Sequence, residues 1–124
     1  MKKFNKIVGN FSEKLAAEFL IQKGYSILEL NFRNRLGEID IICLKENILV
    51  IVEVKGRYNL NYGYPQESVN YKKQNSIIKT AYCYISYKKF FNINIRFDVI
   101  EILLNTNNSL YKINHIKDAF RLYY

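Results

Sequence analysis

Between Gly37 and Lys55 the chain runs twice through β-branched and aliphatic residues. Gly37-Glu38-Ile39-Asp40-Ile41-Ile42 comes first, then Ile48-Leu49-Val50-Ile51-Val52-Glu53-Val54-Lys55, with the turn-prone Lys45-Glu46-Asn47 between them. Two such runs at that separation predict an antiparallel hairpin. Its register carries chemistry, because a slip of one residue sends every side chain to the opposite face. A two-residue turn at Glu46-Asn47 pairs Lys45 with Ile48 and sets Asp40 opposite Glu53, whereas a three-residue turn sets Asp40 opposite Val52. The two-residue turn is the expected one. It brings the two carboxylates to a Cβ separation of roughly 5 Å, and Lys55, two residues beyond Glu53, projects from the same side.

Carboxylates that close repel each other unless a proton or a cation sits between them, and oxygen-rich sites of this kind suit Mg²⁺ or Mn²⁺. Such an ion polarises a phosphate oxygen and activates water, while an ammonium at Lys55 orients the nucleophile or offsets charge that grows in the transition state. Glu-x-Lys on one strand also describes an ordinary solvated face, and charged pairs across strands are common. The company these residues keep argues for more. Glu53 and Lys55 end an apolar stripe begun by Leu49 and Ile51, where a charge needs a reason.

Upstream, Asn10 to Lys23 has helical spacing and stops at Gly24, a C-terminal cap. On a 3.6-residue wheel Glu13 falls between Ala17 and Leu20, on the packing face; it is either a further acidic ligand or a charge welcomed by the helix N-terminus. After Pro65, Gln66 to Lys88 predicts a second helix with Gln74, Ile77, Ile78, Ala81 and Ile85 on one stripe. Gln74 sits at the inner edge, where its amide either reaches a phosphate or a metal-bound water, or satisfies a backbone group. Lys72 and Lys73 lie near the helix start, where they gain nothing from the dipole, and this favours anion contact.

Strands follow at Ile93 to Leu103 and Tyr111 to Ile116, and Lys117 to Tyr124 reads as a short helix or a frayed tail. Arg96 and Asp98 share a strand face, as an ion pair or as a phosphate contact. The order helix, three strands, helix, two strands predicts a mixed β-sheet flanked by helices in one α/β domain spanning residues 1–124.

The motifs Gly9-x3-Glu13-x2-Ala16, Gly24-Tyr25-x-Ile27-Leu28-x2-Asn31-x-Arg33 and Gly37-Glu38-Ile39-Asp40 follow one another in order. Val52-Glu53-Val54-Lys55-x-Arg57, Gly63-x-Pro65-x-Glu67-x-Val69, Lys72-x-Gln74 and Arg96-Phe97-Asp98-Val99 complete the series. This string resembles the YraN family, whose fold is similar to the restriction-endonuclease-like nucleases of the PD-(D/E)xK superfamily and to archaeal Holliday-junction resolvases. The resemblance spans roughly residues 9 to 120. It implies a restriction-endonuclease-like α/β fold, with Glu13, Asp40 and Glu53 as acidic metal-site positions, Lys55 as the superfamily lysine and Gln74 as the polar residue on the following helix. The carbonyl of Val54 is a further candidate ligand. Gly56 departs from the family, which more often has a hydroxyl residue there. Related resolvases work as dimers, which makes a homodimer an expectation, although no self-complementary face is legible in the sequence.

The 124 residues suit one domain with a real core, and 49% of them are hydrophobic. No run of about 18 apolar residues exists, so no membrane span is expected. Met1-Lys2-Lys3-Phe4 lacks the apolar core of a secretory signal, which makes the cytoplasm the expected location. Cys43 and Cys83 have no metal-ligand spacing and read as buried thiols, and His115 reads as structural, so zinc is not expected.

The net charge is +8, and most of the excess follows the hairpin: eight basic residues from Lys55 to Arg96 face one acid, Glu67. A basic surface beside an acidic metal site suits a DNA nuclease, because phosphate neutralisation supplies most affinity for nucleic acid. The chain is also rich in Lys, Asn, Ile and Tyr, as an AT-rich coding bias would make it, which discounts the argument from charge. The loop from Gly56 to Pro65 carries Arg57, Tyr58, Tyr62 and Tyr64, which either stack bases or pack on their own domain. The expectation is therefore a Mg²⁺-dependent or Mn²⁺-dependent endonuclease acting on DNA, with Arg57, Tyr58, Lys72 and Lys73 as nucleic-acid contacts. A non-catalytic DNA-binding or assembly module on the same fold, and a protein-interaction domain, are the alternatives.

Overall fold

The hairpin closes through a two-residue turn in which Glu46 takes φ 50° and Asn47 φ 64°, the left-handed pair that a type I′ turn requires. It fixes β2 (Gly37–Lys45) against β3 (Ile48–Tyr58), from Lys45 opposite Ile48 to Ile41 opposite Val52. This is the expected register. β1 (Ser26–Asn34) pairs antiparallel with the outer side of β2. β4 (Asn94–Leu104) lies parallel to β3, and β5 (Tyr111–Phe120) pairs antiparallel with β4. The result is a five-stranded mixed sheet in the order β1-β2-β3-β4-β5.

Parallel neighbours cannot be joined by a tight turn. α2 (Tyr71–Lys88) makes the crossover between β3 and β4, and α1 (Lys2–Gln22) precedes β1. The computed structural model describes residues 2–58, 69–105 and 110–121, with backbone alone for 2–9 and Tyr58. Among these residues no helix is long and apolar enough to cross a membrane.

Each helix covers one face of the sheet. Ala16 and Leu20 of α1 pack with Ile41, Cys43, Val50, Val52, Ile100 and Ile102. Ile77, Ile78, Ala81 and Tyr84 of α2 pack with Ile42, Leu49, Ile51 and Val99. β3 and β4 are thus buried on both faces, which is why their sequences are almost continuously apolar. α1 stops as expected: Gly24 takes φ 90°, its N–H donates to the Ile21 carbonyl at 3.0 Å and the Tyr25 N–H to that of Leu20 at 3.0 Å. That arrangement is a Schellman cap, which favours glycine.

Four boundaries differ from the sequence reading. α1 begins at Lys2 rather than Asn10, so Glu13 lies well inside the helix. α2 begins at Tyr71 rather than Gln66, because Asn70 caps it: the Asn70 Oδ1 accepts the Lys73 N–H at 2.8 Å. Gly56, Arg57 and Tyr58 belong to β3, not to a loop, because β4 pairs with that strand as far as Tyr58 opposite Leu104. Tyr62 and Tyr64 lie outside the described residues. β5 continues to Phe120 where a helix or tail was expected. It does so through a register shift opposite Asp98, with Asp118 at φ 54° and Phe120 stacked on Phe97 at 5.2 Å. Cys83 is exposed, on the outer side of α2, whereas Cys43 is buried as expected.

Candidate metal centre

Asp40 occupies the point where β2 stops behaving as a regular strand. Ile39 and Ile42 both pack on the α2 side, while Ile41 and Cys43 pack on the α1 side, so the simple alternation breaks at Asp40. The ladder to β3 ends at Ile41 opposite Val52, one pair short of Asp40 and Glu53. Instead, the Val54 N–H donates to the Asp40 Oδ2 at 2.8 Å. The carboxylate therefore fills the gap between the strands. From there it interacts with Glu53 of β3 and with Glu13 of α1.

Burial is the main cause that pushes the Asp40 carboxyl from its ordinary 3.8 up to about 8; the charges of Glu53 and Glu13 add to it and the Val54 N–H opposes it. Glu13 is raised as well, first by burial and then by Glu38, while hydrogen bonds from Asn31 and Asp40 work the other way. Because Glu13 is more than a turn from the start of α1, attraction to the helix N-terminus does not account for its charge. Glu53 is nearly buried, at 5% exposure.

The acids converge, yet among the described residues no three His, Cys, Asp or Glu side chains form a group that could hold a metal ion as they stand. A lysine lies among them. The Lys73 Nζ sits 2.8 Å from the Glu53 Oε1. Although burial disfavours its charge, its bond to Glu53 and the charges of Glu53, Asp40 and Glu38 raise its pKa. The sequence reading gave Lys73 to nucleic acid; the structure gives its ammonium to the acid cluster. In oxygen-donor chemistry the set still suits a hard divalent cation, since the proton that Asp40 retains and the ammonium on Glu53 are both exchangeable positive charge.

The other expected site residues fall as follows. Lys55 stands two residues beyond Glu53 on β3, opposite Glu101 of β4. Arg57 and Tyr58 follow it to the strand end. Lys72 is exposed at the start of α2. Gln74 turns back on its own chain, its Nε2 donating to the Val69 carbonyl at 2.7 Å, so the backbone alternative is the one realised. Sequence reasoning missed Asn31, which the register places across from Asp40 and which hydrogen-bonds Glu13. Its left-handed φ of 55° was foreshadowed only by its residue type, since asparagine tolerates that region best after glycine.

A second polar cluster forms around Asp98 of β4. Asp98 is fully buried and accepts from Arg96 Nε at 2.9 Å, Arg96 Nη2 at 2.9 Å and the Asp118 N–H at 2.9 Å, and it pairs with His115 Nε2 at 2.8 Å. Arg96 Nη2 also donates to the Tyr25 hydroxyl at 2.8 Å. Burial works against the Asp98 charge, but these partners outweigh it and hold its pKa below the ordinary value. Arg96 and Asp98 are thus an ion pair, and His115 is a structural residue, as expected.

The whole chain has close relatives. It is 63% identical over 121 residues to the UPF0102 protein CLL_A1253 of Clostridium botulinum (strain Eklund 17B / Type B), covering 98% of this chain and 99% of that one. It is 64% identical over 122 residues to a UPF0102 protein of Clostridium beijerinckii, covering 98% and 99%. A UPF0102 protein of Clostridium perfringens matches at 49% over 122 residues, covering 98% and 100%. The model of "Uncharacterised protein family UPF0102" matches residues 12–102, a span that holds Glu13, Asp40, Glu53 and Lys55. On the family match over residues 12–102 and on relatives that cover it almost end to end, the chain belongs to UPF0102, the YraN family.

Proposed function

We propose that this protein is a metal-dependent nuclease that hydrolyses DNA phosphodiester bonds, on branched or single-stranded DNA, in the cytoplasm. One observation carries the reading: Asp40, half-buried on β2, interacts with Glu13 of α1 and Glu53 of β3, and burial first and then the charge of Glu53 raise its carboxyl to about 8, a setting that a cation would relieve. Asp40 and Glu53 would hold Mg²⁺ or Mn²⁺, with Glu13 and the Val54 carbonyl as further donors. The ion, when bound, supplies Lewis acidity toward a phosphate oxygen and toward water. Lys55 orients the nucleophile or offsets the charge of the transition state.

Basic residues carry the polyanion past the site. From Val69 to Phe97 there is no acid, while Lys72, Lys79, Lys88 and Lys89 are exposed along or beside α2. Tyr71 and Tyr87 stand among them, 72% and 74% exposed, a pairing of cations with aromatic rings that suits nucleic acid. Arg57 and Tyr58, at the end of β3, are the further nucleic-acid contacts of this reading.

The test is cleavage of branched, single-stranded and duplex DNA with Mg²⁺ or Mn²⁺. Asp40→Ala and Lys55→Ala are expected to abolish turnover while their circular-dichroism spectra stay native; undiminished cleavage in either removes the assignment. A second reading, a non-catalytic DNA-binding or assembly module, draws on the Lys73–Glu53 ion pair, which leaves the acid cluster partly neutralised by the chain itself. Salt-sensitive binding without cleavage under every metal would select it.

A further inference from the structure

One stripe of α1, with Glu13, Ala17 and Ile21 at helical spacing, faces Leu30 and Asn31 of β1 across a groove of about 350 Å³ that ends on Asp40. Glu13 and Ile21 are eight residues apart, about 12 Å along the helix. Glu18, three residues before Ile21, lines the groove as well, so the groove is polar and acidic where it joins the candidate metal centre and aliphatic with one flanking acid toward Ile21. Ile21 and Leu30 keep 57% and 53% of their surface in water. Two large aliphatic side chains exposed to that degree on facing walls gain from covering by a flat apolar group.

The size and polarity of the groove select the occupant. A duplex is far too wide for a cleft of this volume, which lies at the small end of the roughly 300–1,000 Å³ typical of small-ligand sites. An uncharged protein side chain or loop filling it would bury Asp40 and Glu13 further without adding positive charge. A nucleotide has the matching asymmetry: its phosphate belongs at the end where Asp40 and Glu53 would hold a metal, and its base belongs between the aliphatic walls. Asn10 and Asn31 line the same groove and supply amides for base edges. Lys14 lines it as well and supplies a cation for the adjoining backbone.

We propose that this groove binds one unstacked nucleotide beside the scissile phosphate, its base between Ile21 and Leu30, and that it thereby sets a preference for unpaired over duplex DNA. The proposal rests on the nuclease reading above and adds to it the state of the substrate strand. A base can enter the groove only after leaving the helical stack, a step that costs a few kcal/mol in a duplex and little in a single strand or at a branch.

The test uses the full chain with Ca²⁺ as the probe cation and oligonucleotides carrying 2-aminopurine, either single-stranded or fully paired. Wild-type protein is expected to bind the single strand with a change in 2-aminopurine fluorescence. Leu30→Ser and Ile21→Ser are expected to weaken that binding tenfold or more, to abolish the fluorescence change and to leave duplex affinity within twofold. Both residues are exposed, so the variants should keep the wild-type melting curve, and Leu30→Phe should retain single-strand binding as a check on packing. If wild-type protein binds DNA and Mn²⁺ but the serine variants bind the single strand unchanged, or lose duplex equally, the groove assignment fails and the nuclease reading stands. If wild-type protein binds neither Mn²⁺ nor DNA, both fall together.

Discussion

Lys73 Nζ lies 2.8 Å from Glu53 Oε1, so a residue from the first turn of α2 supplies positive charge to a buried carboxylate at the centre of the sheet. A lysine side chain is a long tether, and this one is 53% exposed, which leaves its ammonium able to withdraw into solvent. A divalent ion at Asp40 and Glu53 would compete with it. Lys73→Met is therefore expected to raise Mn²⁺ affinity several-fold, read by isothermal titration, because a tethered competitor has been removed. It should also weaken DNA binding in the presence of metal, because the displaced ammonium is then lost to phosphate. Unchanged or weaker Mn²⁺ binding in the variant would remove the competition.

Asp40 makes the metal-free protein sensitive to pH. Its ordinary carboxyl value is 3.8 and its folded value is about 8. The stability conferred by the retained proton is complete below about pH 4, where both folded and unfolded chains carry it, and is lost as pH rises through about 8. Melting temperature without metal should accordingly fall between pH 5 and pH 8, and Asp40→Asn, which keeps an acceptor for the Val54 N–H, should flatten that slope. Because a divalent ion replaces the proton, Mn²⁺ should raise the melting temperature more at pH 8 than at pH 6. Thermal denaturation across that range, with and without Mn²⁺, checks both signs.

Asp98 predicts the opposite pH behaviour. Its pKa is lowered by His115, Arg96 and the Asp118 N–H, so the stability it confers is present above the unfolded carboxylate value and is lost as pH falls through the lower folded one. Removing it strands Arg96 and His115 beside a buried gap. Asp98→Ala is expected to cost about 3–5 kcal/mol, the usual penalty for breaking a buried ion pair from one side. Urea denaturation at pH 7 measures it, and a loss under 1 kcal/mol would contradict the network described above.

Gly37 binds α2 to the sheet by the absence of a side chain. A Cβ there would lie 3.0 Å from Thr80 Oγ1 and closer still to Ser76 Oγ, and that serine hydroxyl is already committed to the Leu36 carbonyl at 2.6 Å. Gly37→Ala should cost about 1–3 kcal/mol by overpacking. Ser76→Ala, which clears the closest contact, should recover part of the loss in the double variant. Denaturation midpoints of the two single variants and the pair decide this.

The hairpin and its register were legible because they rest on local chemistry: a turn that tolerates left-handed backbone and two apolar runs of matching length. Gly24 as a helix stop and the stripe of Ile77, Ile78 and Ala81 were legible for the same reason. The sequence signals failed where one side chain outweighed an average. Asn70 starts α2 five residues late, and Asp98 captures the Asp118 N–H and carries β5 through a bulge. At the site, spacing identified Asp40, Glu53 and Lys55, since all three lie on one hairpin. Lys73, Asn31 and the true setting of Glu13 depend on how two helices and an edge strand dock, which no local pattern reports. The break in alternation at Asp40, which opens the gap its carboxylate fills, is likewise a property of the folded sheet alone.

The most direct test of cation binding by these acids is anomalous diffraction from crystals soaked in Mn²⁺ at pH 8. A single anomalous peak between the carboxylates of Asp40 and Glu53, with the Lys73 ammonium moved off Glu53, is the predicted result. Crystals that diffract well and show no peak there, with Lys73 still bonded to Glu53 at high Mn²⁺, would contradict it.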